Sequence, residues 1–238
     1  MKKIVLLAIL ATLFSAHSKA TVYEVYGKIG LWNAFLFQKS FNEKMYFHNE
    51  LRFRVIGEFD NVQQFLVRPS FHYLPIKWLE FSAGYTYSLN AAYNSFGAIQ
   101  DLPEHNTWEQ VATRNRLGKL SFHTRTRYEN RFVGQLQSRQ PDEIYFSFRN
   151  RLRTMLEVGY QLSENDKLSV YDEAFWISPE SEQLPSVFAH QNWIGLNFSH
   201  NFSGRLSGYL GLMRQYLYRN ELAHERNLLI RIGAKLKL

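Results

Sequence analysis

Apolar and polar side chains alternate with a period of two in segment after segment of this chain. The final stretch shows the pattern. Leu228, Ile230, Ile232, Ala234, Leu236 and Leu238 are apolar, Asn227, Arg231, Gly233, Lys235 and Lys237 lie between them, and Leu229 breaks the phase. A period of two puts successive side chains on opposite faces of a β-strand, so each such segment has one oily and one wet face. The same alternation runs through 44–55, 64–73, 79–88, 120–132 and 144–160. Weaker versions cover 22–38, 107–117, 167–176, 189–199 and 205–217, and 107–117 fits either phase.

These segments are long. Many exceed the ~9–11 residues that a tilted transmembrane strand needs, whereas strands of soluble proteins average about 5–6. Phe, Tyr and Leu on every oily face would overfill the interior of a small barrel, which points those faces outward, toward lipid. Short turns near 39–43, 75–77, 118–119, 163–166 and 201–204 alternate with longer connections near 57–61, 91–105, 133–143, 178–187 and 219–223. Short turns at one end and long loops at the other are the habit of outer-membrane barrels. The expectation is therefore all-β: a single-domain, antiparallel transmembrane β-barrel. Eleven segments are legible, but single-chain bacterial barrels have even strand numbers. The expected count is accordingly about twelve, with ten as the alternative, and an antiparallel first strand is expected to close against the last. A soluble lipocalin-like periplasmic barrel that binds a ligand is the competing architecture.

The N-terminal residues read as an export leader. Lys2 and Lys3 precede an apolar run from Ile4 to Phe14, and Ser18-Lys19-Ala20 is a small-x-small cleavage site. Residues 1–20 are thus expected to be removed after Ala20, leaving a barrel over 21–238 in the bacterial outer membrane. The chain contains no Cys, which excludes a lipid-modified cysteine, a disulfide and a thiolate metal site. A mean hydropathy of −0.33 is compatible with a barrel, whose polar lumen face dilutes the average. Aromatic residues at 16% suit a barrel with girdles at both membrane surfaces. Trp32, Tyr73, Trp78, Tyr85, Tyr87, Tyr160, Trp176, Tyr216 and Tyr218 are read as such girdle residues. The formal charge of +7 includes three lysines of the leader and is too mild to argue for nucleic acid. The expected partners are outer-membrane lipid and, through the C-terminal strand, the barrel-assembly machinery.

The wet faces carry unusually many charges. Glu50, Arg52 and Arg54 share one strand, Arg68 sits on the next, and Arg125, Arg127, Glu129 and Arg131 share another. Arg149, Arg151, Arg153 and Glu157 follow, then Glu173, Arg231 and Lys235. Guanidinium forks bind carboxylates at two points, so these residues suit a lumen laced together strand to strand. A basic channel favouring anions is the functional alternative. Two Ser-x-His pairs, Ser70/His72 and Ser121/His123, put a hydroxyl and a base on one strand face. That is the minimum for an acyl-transfer nucleophile, although the spacing also arises by coincidence among eight histidines. No metal-ligand spacing or phosphate loop is present, and no cofactor is expected.

Several stretches together resemble the outer-membrane family catalogued as domain of unknown function 2490. They are Trp32, Glu50-Leu51-Arg52-Phe53, the strand from Arg125 to Phe132, Arg149-Asn150-Arg151-Leu152-Arg153 and Tyr171-Asp172-Glu173-Ala174-Phe175. His190-Gln191-Asn192-Trp193 departs from the Asn-Arg usual there. The resemblance implies an outer-membrane barrel and names no reaction or substrate. On the residues themselves, the leading expectation is a non-enzymatic barrel: a narrow, porin-like pore or a structural protein that presents surface loops. A lipid-acting barrel enzyme using a Ser/His pair is the alternative.

Overall fold

A computed structural model of the protein describes residues 24–57, 59, 61–92, 100–137, 140–177, 188–220 and 223–238. The leader and cleavage site read from the sequence lie outside them. The alternating segments become long strands: β1 (Glu24–Tyr26), β2 (Ile29–Ser40), β3 (Met45–Ile56), β4 (Asn61–Ile76), β5 (Leu79–Asn90) and β6 (Leu102–Leu117). They continue with β7 (Leu120–Gln137), β8 (Gln140–Gln161), β9 (Asp166–Ile177), β10 (Phe188–Asn201), β11 (Leu206–Asn220) and β12 (Ala223–Lys237). Each strand from β2 to β12 pairs antiparallel with its neighbours in sequence, and β12 pairs back onto β2 to close the sheet.

The barrel has eleven staves, which corrects the expected twelve and the alternative of ten. β1 and β2 are two parts of one stave: Glu24 pairs with Ala223 and Ile29 with Leu228, in the same register along β12. Eleven alternating staves leave the first and last running in the same direction. Closure is therefore parallel, through the register from Leu228↔Ile29 to Lys237↔Gln38, and not antiparallel as expected. A parallel pair forms evenly spaced, slanted hydrogen bonds and closes a sheet as completely as an antiparallel one. Hairpin chemistry alone does not enforce even parity.

The tight turns are encoded locally. Gly118 takes φ +58° in the two-residue turn between β6 and β7, where hairpins favour a positive φ. Asn42 Oδ1 accepts from the backbone N–H groups of Lys44 and Met45, and Ser163 and Ser203 do the same for Asn165/Asp166 and Arg205/Leu206. One connection is shorter than expected. The 133–143 stretch reads as one of the longer connections, yet ladder pairing runs on through Gly134↔Phe146 and Leu136↔Ile144 to Gln137↔Gln140. Backbone groups form that ladder whatever the side chains are.

Burial is inverted relative to a water-soluble domain. Among the described residues forty large apolar or aromatic side chains are exposed, while twenty-one polar or charged residues and only eleven hydrophobic ones are buried. Outward rows such as Phe65, Phe71, Tyr73 and Phe81 form the apolar surface, and the charged rows fill the inside. The ambiguous 107–117 phase resolves with Trp108, Gln110 and Ala112 inward and Glu109 and Val111 outward. Leu229, the break in the last strand's phase, points inward and is 0% exposed. Trp32 also points inward, at 2% exposed, which corrects its reading as a girdle residue. Tyr73, Trp78, Tyr85, Tyr160 and Trp176 are exposed on the outer surface.

Candidate functional site

The lumen has two layers of different character. In the first, Trp32 of β2, Phe175 of β9, Trp193 of β10, Met213 of β11 and Leu229 of β12 converge from five strands into one buried cluster. Trp32 and Trp193 meet edge to face with ring centroids 5.1 Å apart, and Phe175 lies 4.5 Å from Trp193. Two guanidinium groups cap the rings: Arg54 lies 3.8 Å from the centroid of Trp32, and Arg153 lies 4.5 Å from that of Phe175. Tyr171 completes the cluster, and all six residues are buried, with Tyr171 and Trp193 also forming part of the wall of the neighbouring cavity.

Ion pairs brace this layer and continue into the next. Glu129 is 0% exposed and accepts from Arg151 Nε at 2.5 Å and Arg153 Nη1 at 3.1 Å. Arg153 reaches on to Glu173, which also takes Arg125 Nη2 at 2.5 Å. Across β7 and β8 two directly opposed pairs are alike, Arg127↔Arg153 and Arg131↔Arg149, while Glu129 faces Arg151 directly and reaches Arg153 along the diagonal. Arg131 binds Glu104 with both fork nitrogens, at 2.7 and 2.8 Å. Glu50 holds Arg52 and Arg68, and Arg68 continues to Thr86 Oγ1 at 3.0 Å. Glu157 pairs with Lys167 at 2.7 Å, and Arg231 donates to Tyr171 Oη at 2.5 Å. Glu104 went unnoticed in the sequence because it sits beside a Pro in what reads as a loop.

The second layer, toward the tight turns, holds a cavity of about 310 Å³. Eight Arg or Lys side chains and four Glu line it, among them Arg52, Arg68, Arg125, Arg127, Arg153, Glu157, Glu173, Arg231 and Lys235 of the residues read from the sequence. Arg127 is the most exceptional. Its Nε and Nη2 share Gln110 Oε1 and its plane lies 3.9 Å from the centroid of Trp108, while Nη1 is buried with no hydrogen-bond partner. Among the described residues no carboxylate pairs with it, as none does with Arg54 of the first layer, although a buried cation strongly favours a counter-charge. Trp108 itself fits because Gly84 opposes it; a Cβ there would lie 2.5 Å from the indole.

One wall of the cavity carries a hydrogen-bonded chain. Ser70 Oγ lies 3.0 Å from His72 Nε2, and His72 Nδ1 lies 2.9 Å from Glu80 Oε1. Glu80 Oε2 accepts from Tyr46 Oη at 2.9 Å and Arg114 Nη1 at 2.5 Å, and Tyr46 stacks on the imidazole with centroids 4.4 Å apart. The Ser-x-His spacing found in the sequence supplies two members; Glu80 is the member it did not supply. The register of the β4–β5 hairpin places Glu80 diagonally beside His72, since Ile76 pairs with Leu79 and His72 with Ser82. The second pair behaves differently. His123 Nε2 is buried without a partner, and Ser121 Oγ lies against Gly159. Equal spacing thus yields one chain and not the other.

No curated protein matches this sequence. A family model described as protein of unknown function (DUF2490) matches residues 29–225, from the closing strand β2 into β12, a span that includes the carboxylate ion pairs, the rings of the buried cluster and the Ser70–His72–Glu80 chain. The chain belongs to that family.

Proposed function

We propose that this protein spans the bacterial outer membrane as a closed barrel whose turn-end basin takes up a small anionic solute. Its apolar outer surface would face lipid, and its five tight turns would face the periplasm, as in barrels of this kind. The carrying observation is the charge imbalance around the cavity, eight cationic side chains against four carboxylates, with the Arg127 fork unmatched among them. Low-dielectric walls lined by one sign of charge raise the local concentration of counter-ions. The buried aromatic cluster, whose Tyr171 and Trp193 form part of the basin wall, argues for a blind recess and against the narrow pore also considered. The apolar surface argues against a soluble periplasmic barrel, which would have to wet forty large side chains.

The test uses the folded protein in detergent micelles and in planar bilayers. Trp108 and Trp193 line the cavity, so tryptophan fluorescence should respond to inorganic pyrophosphate and ignore glucose. The response should weaken with added salt. Bilayers containing the protein should show no conductance steps. Stepped conductance, or equal response to both solutes, overturns the proposal.

A further inference from the structure

We propose that Ser70, His72 and Glu80 form a nucleophile relay that hydrolyses a small, negatively charged carboxylic ester inside the basin. The inference rests on the basin reading above and adds a reaction to it. A carboxylate only accepts, so the contact with Glu80 places the hydrogen of His72 on Nδ1. The neutral ring then presents the lone pair of Nε2 to the hydroxyl of Ser70. A hydroxyl, a base within hydrogen-bond reach and a third group orienting the base are the structural signature of an activated nucleophile. Glu80 is itself held by Tyr46 and Arg114, and the imidazole is stacked against Tyr46, so the ring has one orientation. Four strands contribute to this arrangement, β3 with Tyr46, β4 with Ser70 and His72, β5 with Glu80 and β6 with Arg114, and the short turn after Ile76 joins β4 to β5.

The substrate class follows from where the relay faces. Ser70, His72, Glu80 and Arg127 line the same cavity, on the opposite sheet face from the apolar surface. Long acyl chains of membrane lipid would lie on that other face. The cavity, at about 310 Å³, is at the lower end of ligand-site volumes, and its excess cations select against neutral esters. A soluble ester bearing a carboxylate or phosphate fits all three conditions.

The step balances with ester and water alone. Ser70 Oγ bonds to the acyl carbon while His72 Nε2 takes the hydroxyl proton. Collapse breaks the bond to the alcohol oxygen, which leaves with that proton. Water then attacks the acyl-serine, gives a proton to His72, and releases the acid as Ser70 recovers its hydrogen.

Folded protein in micelles is treated with a fluorophosphonate probe, which loses fluoride as its phosphorus bonds to serine. It is separately given mono(4-nitrophenyl) succinate and the neutral 4-nitrophenyl acetate. Mass spectrometry should place the label on Ser70, and Ser70→Ala should abolish both label and turnover. The anionic ester should be the better substrate, a preference that Arg127→Gln removes. His72→Ala should lower turnover on the order of 10²–10⁴-fold. Glu80 acts through His72 and is a positioning residue: Glu80→Gln should lower kcat with KM unchanged, and Glu80→Asp should restore part of the loss. Retained heat-modifiable gel mobility certifies the fold of each variant. Turnover that survives Ser70→Ala overturns the relay. A protein that responds to pyrophosphate but leaves Ser70 unlabelled and both esters intact overturns the relay and leaves the basin standing. Absence of the pyrophosphate response overturns both.

Discussion

The two layers of the lumen use the same residue types to opposite ends. Around Glu129 and Phe175, arginines meet carboxylates and ring faces until no space is left. Toward the turns, cations outnumber carboxylates and leave a cavity whose wall holds an Arg127 nitrogen without an acceptor and a hydroxyl aligned with a base. The difference lies in packing. Arg54 Nε and Trp193 Nε1 of the first layer also lack acceptors, but ring faces and side chains fill the space around them, whereas the basin leaves room for a solute beside Arg127.

That contrast can be broken at several points. The largest effect is expected at Glu129. Glu129→Leu strands Arg151 and removes half the pairing of Arg153, and breaking a buried pair of this kind costs about 3–5 kcal/mol. The urea midpoint for loss of heat-modifiable mobility measures it. If the layers truly differ, Glu157→Gln in the wetter layer should cost no more than ~1 kcal/mol in the same assay, since both partners are partly exposed. Equal losses would erase the distinction.

Phe175→Ala should come next, at about 3–5 kcal/mol for a buried ring, and combined with Trp193→Ala it should produce conductance steps absent from the parent. Persistent silence of the double variant would mean that other side chains close the lumen. A smaller loss is expected at Gly195, where the Tyr171 ring occupies the place of a side chain. A Cβ there would lie 2.4 Å from the ring, so Gly195→Ala should cost about 1–3 kcal/mol through overpacking. Arg127→Gln should change stability least, by less than ~1 kcal/mol or even favourably, because it removes a buried cation that has no carboxylate. It should nonetheless abolish the fluorescence response to pyrophosphate. A large destabilisation would show that Arg127 is structural.

Much of this site was legible residue by residue. Glu50, Arg52, Arg54, Arg68, Glu129, Arg153, Glu173 and Arg231 sit on wet faces whose phase is plain in the sequence. Glu80 was visible on its wet face too, but its role depends on the diagonal contact with His72 that the hairpin register creates. Trp32 was harder. Aromatic residues near strand ends read as girdle, and only the closed barrel brings Trp32 edge to face with Trp193 of β10.

The alternation by itself determined that the chain forms long two-faced strands, which residues share a face, and where the tight turns fall, because side-chain direction and turn chemistry are local properties. It could not determine how the sheet closes. The parallel seam between β2 and β12 and the eleven-stave count arise from pairing between the two ends of the described chain. Only that closure brings Arg231 to Tyr171, Arg125 to Glu173 and Trp32 to Trp193. A period of two specifies a face. Which residues on that face meet depends on register and circumference, and those belong to the whole barrel.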